Sequence, residues 1–214
     1  PAGEALVHEV GVELLTSDYA LTAYLDEFAV FGDPDYRVDF AHERIEHWNN
    51  LHEEISQCMY NVGSWTLEKG ALVGHGAQLA EIFTGSTRWQ NVHVKTALQP
   101  VTGKGHNLEF RVQGAMRCYA VGLAADNKLV LYKKNGQYEK LAETDLSWEN
   151  GCEYTLEATA VGNTITVSID GEIAFRYVDE DEPYLYGSVG LSSFGPASCQ
   201  WRFIEVIPVE KEEK

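Results

Sequence analysis

Short runs of alternating apolar and polar residues, each closed by a Gly, Asn or Asp turn, fill the chain from Trp65 to Trp201. In Asn107-Leu-Glu-Phe-Arg-Val-Gln113 the even positions Leu108, Phe110 and Val112 are apolar, and Asn107, Glu109, Arg111 and Gln113 are polar. A period of two marks a strand with one buried face. Residues 154–158, 164–169 and 203–207 repeat the pattern, and Asp170-Gly171 follows the second of these as a two-residue hairpin signal. Asn135-Gly136 and Asn150-Gly151 mark further turns. Many antiparallel strands with no long helix between them predict an all-β antiparallel sandwich.

The 214 residues suffice for one large β domain plus part of another, and need no covalent staple. A formal charge of −17 repels phosphate backbones and anionic lipid headgroups, so nucleic acid and membrane are not expected partners. Cys58, Cys118, Cys152 and Cys199 form no C-x-x-C pair, which argues against a zinc site. We expect them to be free buried thiols, Cys118 as a small core residue, which fits a reducing, cytoplasmic compartment. The chain opens Pro1-Ala-Gly without a methionine and reads as a piece of a longer polypeptide.

Residues 5–31 read as a strand pair, too little to bury a face alone, and Gly32-Asp33-Pro34-Asp35 breaks the chain after it. The expected organisation is a strand pair over 1–34, a sandwich over 35–209 and a charged tail over 210–214. Residues 38–60 admit two readings. Phe40, Arg44, Trp48, Leu51 and Ile55 fall at helical spacing, while the surrounding pattern favours an irregular strand and loop.

The runs Trp65-Thr-Leu-Glu-Lys-Gly-Ala-Leu72, Trp89-Gln-Asn-Val-His-Val94, Tyr119-Ala-Val-Gly-Leu123, Gly162 to Gly171 and Gly187-Ser-Val-Gly-Leu191 occur in the order of a concanavalin A-like or laminin G-like jelly roll, which the chain resembles over roughly 60–208. A narrower resemblance rests on Tyr24-Leu-Asp26, Asp35 to Phe40, Ile55-Ser-Gln57 and Phe110 to Gly114. These runs look like a C-terminal accessory region of bacterial ADP-ribosylglycohydrolase-family proteins. It implies a catalytic domain elsewhere in the polypeptide as partner, and makes residues 5–31 the last strands of a galactose-binding-like sandwich. The helical catalytic domain of that family, with its acidic metal motifs, is not present in these residues.

Four constellations carry chemistry. If alternation holds, Glu109, Arg111 and Gln113 share a face, joined by Arg117 and Tyr119 from the next strand. Guanidinium forks, a carboxylate, an amide and a phenol suit a sugar, and these five are the expected ligand-binding residues. The bland reading of the same face is a set of solvated cross-strand pairs. The resemblance places ligands of such modules on the concave sheet or at the loop rim. Of the tryptophans, Trp65 and Trp201 read as core, whereas Trp89, Trp148, Tyr184 and Tyr186 lie near turns and read as end caps or sugar platforms. Asp179-Glu-Asp-Glu182 reads as a solvated acidic turn or a structural calcium site. Among acids, Glu143-Thr-Asp145 falls short of an E-x-D-x-x-E pattern because Trp148 occupies its last place, which leaves Glu81 and Glu109 as a cross-strand pair. His42, His47 and His52 are scattered, without H-E-x-x-H spacing.

These observations point to a non-catalytic, carbohydrate- or glycoconjugate-binding sandwich attached to a larger bacterial enzyme. A hydrolase using Glu81 and Glu109, and a ligand-free structural spacer, are the alternatives.

Overall fold

The computed structural model describes residues 34–43 and 58–210, which belong to one compact unit, Asp33–Lys214. Its strands, in chain order, are β1 (Tyr36–Asp39), β2 (Cys58–Val62), β3 (Ser64–Glu68), β4 (Ala71–Gly76), β5 (Leu79–Thr84), β6 (Val92–Thr102), β7 (Gly105–Val112), β8 (Arg117–Ala124), β9 (Lys128–Asn135), β10 (Gln137–Asp145), β11 (Tyr154–Val161), β12 (Thr164–Ile169), β13 (Glu172–Val178), β14 (Ser188–Phe194) and β15 (Ala197–Pro208). No helix occurs among the described residues. The expected strand pair over residues 5–31 lies outside them.

Two antiparallel sheets face each other. The first runs β13-β12-β11-β6-β15-β4-β3, with β1 also paired to β15; the second runs β10-β9-β8-β7-β14-β5-β2. Period-two alternation sends one side chain of each pair inward. Leu108 and Phe110 of β7, Val121 and Leu123 of β8, Leu129 and Leu131 of β9, and Val189 and Leu191 of β14 are fully buried against Val94, Leu156, Val167, Trp201 and Val206 of the first sheet. Trp65 and Trp201 join that core with ring centroids 5.4 Å apart.

The turns follow the sequence. Asp170 and Gly171 both take positive φ, 51° and 84°, so β12 and β13 are joined by the tight turn that Asp-Gly predicts. Gly136 does the same between β9 and β10, at 76°. The ambiguous segment resolves in part: 36–39 is a strand paired to β15, closed by a turn at Phe40, Ala41 and His42. Phe40 is buried, so the apolar spacing reflects burial of a strand end there. The rest of the helical reading, with His47 and His52, falls outside the described residues. All four cysteines are free, but only Cys118 and Cys199 are buried; Cys152 is exposed, which corrects the expectation for that residue.

Candidate functional site: the outer face of the second sheet

The residues that do not face the core build the outer face of the second sheet. On β7 these are Asn107 and Glu109, which alternate with the inward Leu108 and Phe110. Their strand neighbours are small: Glu109 lies opposite Ala120 of β8 and Gly190 of β14, and Asn107 opposite Gly122 and Ser192. A Cβ on Gly190 would come within 2.6 Å of the Ile82 carbonyl and 3.3 Å of a Glu109 carboxyl oxygen. Small residues at the centre thus leave room for long side chains arriving from the flanking strands.

Four of these meet over that floor. Tyr138 of β10 places its hydroxyl 2.6 Å from Glu81 Oε1 and 2.6 Å from Glu109 Oε1. The carboxyl oxygens are therefore within twice that distance of each other. Lys134 of β9 donates from Nζ to the same Glu81 oxygen, and Asn61 donates to Glu81 Oε2 at 2.7 Å. Glu81 and Glu109 are fully buried, and Lys134 nearly so. Glu109 Oε2 and Asn107 Oδ1 have no hydrogen-bond partner among the described residues. Burial, reinforced by the negative charge of Glu81, pushes the Glu109 carboxyl up to about 7. Burial, then Glu109, also raises the neighbouring Cys118 thiol well above its usual range.

Three half-buried rings stand over the cluster. Tyr138 and Phe194 are 4.5 Å apart, Tyr132 and Phe194 5.5 Å, and Tyr132 and Tyr138 6.2 Å. Tyr138 also packs on Phe83, Val112 and Cys118. Phe83 and Val112 continue into a groove of about 490 Å³, whose wall includes Met59, Thr87, Gln113 and Ser188. Met59 is 71% exposed there.

The five residues expected to form a ligand face are not gathered on one. A register irregularity in the β7–β14 pairing skips Arg111, which sits at φ 49°. Alternation therefore breaks at Arg111, and its side chain turns into the protein, 1% exposed. It donates to Gly162 O at 2.5 Å, Tyr184 O at 2.6 Å and Gln90 O at 3.3 Å. Tyr119 is a core residue, stacked on Phe110 and donating to Asp179 Oδ2 at 2.5 Å. Arg117 is exposed, its guanidinium 4.7 Å above the Tyr184 ring, and Gln113 donates to Tyr186 O at 3.1 Å. Glu109 belongs to the outer-face cluster. The idea of one open polar face is corrected accordingly: Arg111 and Tyr119 are internal fasteners.

The acidic turn at 179–182 closes on a lysine. Lys133 donates to Asp179 Oδ2 at 2.8 Å, to the Asp181 carbonyl, and to Glu182 O at 3.1 Å. Burial raises the Asp179 carboxyl, but the bonds from Lys133 and Tyr119 outweigh it and leave it below its ordinary value. An ammonium thus holds the oxygens offered to calcium, and no group of metal-binding side chains occurs among the described residues. Glu143 and Asp145 are exposed and paired with Lys140 and Lys128. Trp148 caps the sandwich end: its Nε1 donates to Ala124 O at 2.9 Å, and buried His106 meets its ring edge-on at 5.9 Å.

Sequence reasoning named Glu81 and Glu109 but missed Lys134, Tyr138, Asn61 and the ring trio. An acid within an apolar run, as in Ala80-Glu-Ile-Phe83, was the available signal for a buried carboxylate. Nothing local announced which lysine would reach it.

No family model matches the chain, and no curated protein matches it in sequence. Solved structures do. A carbohydrate-binding module of the CBM66 class from Bacillus subtilis superposes with a TM-score of 0.64 at 17% identity, over 71% of this chain and 95% of that one. The fold is a concanavalin A-like jelly roll. A native glycosidic hydrolase shares it at TM-score 0.62 and 12% identity, over 85% of this chain and 99% of that one. So does the lumenal domain of VIP36 bound to calcium and Man3GlcNAc, at TM-score 0.57 and 12% identity, over 81% and 91%. These likenesses establish the shared architecture of the jelly roll and leave its ligand to be argued from the site.

Proposed function

We propose that this jelly roll is a carbohydrate-binding domain that docks a glycan on the outer face of its second sheet. The observation that carries the reading is the ring trio Tyr132, Tyr138 and Phe194, half-exposed and anchored from below by a buried carboxyl–lysine cluster. Flat rings offer the apolar body that a pyranose C–H face needs, and the Tyr132 hydroxyl can supply a hydrogen bond at its edge. The adjoining groove falls within the usual 300–1,000 Å³ of small-ligand sites. Similar structures named for carbohydrate binding and a glycan-bound lumenal domain favour the same class of ligand.

The finer reading has the domain raising the local glycan concentration for a linked ADP-ribosylglycohydrolase-like catalytic domain in a reducing compartment. It rests on the sequence runs around Tyr24, Asp35 and Phe110 alone. The hydrolase alternative draws on the closeness of Glu81 and Glu109, within the separation of retaining enzymes. Against it, the Tyr138 hydroxyl occupies the space a glycosidic oxygen would take.

A glycan array with the purified chain tests the proposal, followed by titration of any hit against Tyr132→Ala and Phe194→Ala. Each variant is expected to weaken binding about tenfold, the loss of one stacking contact of ~1.4 kcal/mol. Unchanged affinity in both would remove the platform from the site.

A further inference from the structure

Hydrogen counting at Tyr138 carries a conclusion that geometry alone states. The hydroxyl oxygen lies 2.6 Å from a carboxyl oxygen of Glu81 and 2.6 Å from one of Glu109. A phenol has a single hydrogen and can donate it to one of them. The other contact between two oxygens needs its own hydrogen, and a carboxylate has none to give. One of the two glutamates is therefore a neutral acid.

The surroundings decide which. Glu81 accepts from the Lys134 ammonium and from the Asn61 amide, both of which favour its charged form. Glu109 meets no cation directly, and its second oxygen is buried with only the uncharged Ser192 hydroxyl near it, outside good hydrogen-bond geometry. The groups facing it are Glu81 on β5, Cys118 on β8, Lys134 on β9 and Tyr138 on β10; β14 presents uncharged Ser192 and Gly190. The proton belongs to Glu109. The chain of bonds then runs from Glu109 O–H to the Tyr138 oxygen, and from Tyr138 O–H to Glu81, whose charge Lys134 balances.

We infer that Glu109, as a neutral carboxylic acid, is the positioning residue that seats the Tyr138 ring in the platform. When Glu109 loses its proton to solvent, the Tyr138 oxygen faces two carboxylates with one hydrogen. It must release one of them, and the ring moves out of register with Tyr132 and Phe194. The inference deepens the carbohydrate-binding reading, because it supplies the regulation of that platform: glycan docking belongs to the acidic side of neutrality. The burial-driven rise of Glu109 to about 7 places the transition within reach of ordinary buffers.

The experiment follows the intact chain without ligand, so its outcome does not depend on any glycan. Carboxyl carbon and tyrosine ring signals are recorded by NMR from pH 5 to 8.5 for the wild type and for Glu109→Gln. A glutamine amide donates to the Tyr138 oxygen at every pH. The wild type should show one glutamate titrating near neutrality, with the Tyr138 and Phe194 ring signals moving at the same midpoint. In Glu109→Gln those ring shifts should vanish across the range. Normal acidic titration of every glutamate in the wild type would overturn the inference, even if the variant failed to fold. Ring shifts that persist in a folded Glu109→Gln protein would overturn it too. If a glycan is found by array, its affinity should fall at least tenfold from pH 6 to pH 8.5 in the wild type only. A blank array with the ring shifts intact would leave the proton assignment standing and remove the sugar reading.

Discussion

Two buried charged clusters sit on neighbouring parts of the second sheet, and they are built on opposite principles. In the cluster around Arg111, all the strong donors but one find acceptors, Arg111 Nε alone being left without a partner. Arg111 serves three carbonyls, Lys133 serves Asp179 and two more carbonyls, and Tyr119 serves Asp179 while accepting from Tyr184 N. In the cluster around Tyr138, two carboxyls compete for one hydroxyl and one ammonium, and Glu109 Oε2 is left over. The first arrangement ties the β12–β13 end, the 179–186 loop and β7 together without dependence on proton supply. The second holds only while it contains the right number of protons. Buried networks whose bonds are made rigidify a fold, and groups left unpaired at low dielectric are costly.

If this contrast is correct, the largest loss of stability comes from the satisfied cluster. Arg111→Met should cost about 4 kcal/mol in chemical denaturation, because three carbonyls lose their donor at once, each worth about 1–3 kcal/mol if left buried. A cost under about 1 kcal/mol would mean that the network does not fasten the loop. Lys134→Met should cost about 3 kcal/mol at pH 7, since it leaves Glu81 as a buried charge without its cation.

The pH dependence comes next and separates the clusters most cleanly. Glu109 is raised from an ordinary 4.5 to about 7, so the folded state holds a proton that the unfolded chain has released. Its contribution is fully present below pH 4.5 and is lost as pH rises through 7, about 3 kcal/mol in all. His106 runs the other way. Burial lowers it from 6.5 to about 4, so the folded state loses stability as pH falls below 6.5. The two slopes nearly cancel from pH 4.5 to 6.5. Denaturation midpoints of the wild type should be flat there, whereas Glu109→Gln should become more stable as pH rises, with the slope of His106 alone. A flat Glu109→Gln profile would contradict the assignment of His106, and a wild-type profile that rises as steeply as the variant's would contradict that of Glu109.

The same contrast explains what was legible in the sequence. Strand count, turn sites and the sandwich follow from alternation and Gly placement, because backbone geometry and burial enforce period two locally. Trp65 and Trp201 were readable as core for that reason. The site was not, since it depends on register. Arg111 had the right parity for the outer face, but the irregularity in its pairing with β14 turns it inward. Lys134 and Tyr138 reach Glu81 from more than fifty residues away, through a strand order that alternation does not encode. Glu109 was named in the sequence as a ligand residue and stands in the site for a different reason, its proton.

The smallest expected effect tests the exposed edge of the satisfied cluster. Arg117 lies 4.7 Å above the Tyr184 ring, in solvent, with no carboxylate pairing among the described residues. A cation over a ring at an exposed site contributes about 0.5–1 kcal/mol. Arg117→Ala should therefore lower stability by about that much, and leave the affinity for any array-identified glycan unchanged, because the platform faces away from the core that Tyr184 belongs to. A tenfold loss of glycan affinity in Arg117→Ala, with stability nearly intact, would move the binding site from the outer face to the mouth of the Arg111 cluster. The contrast would then reverse: the satisfied network would be the scaffold of recognition, and the proton-dependent one a buried structural element.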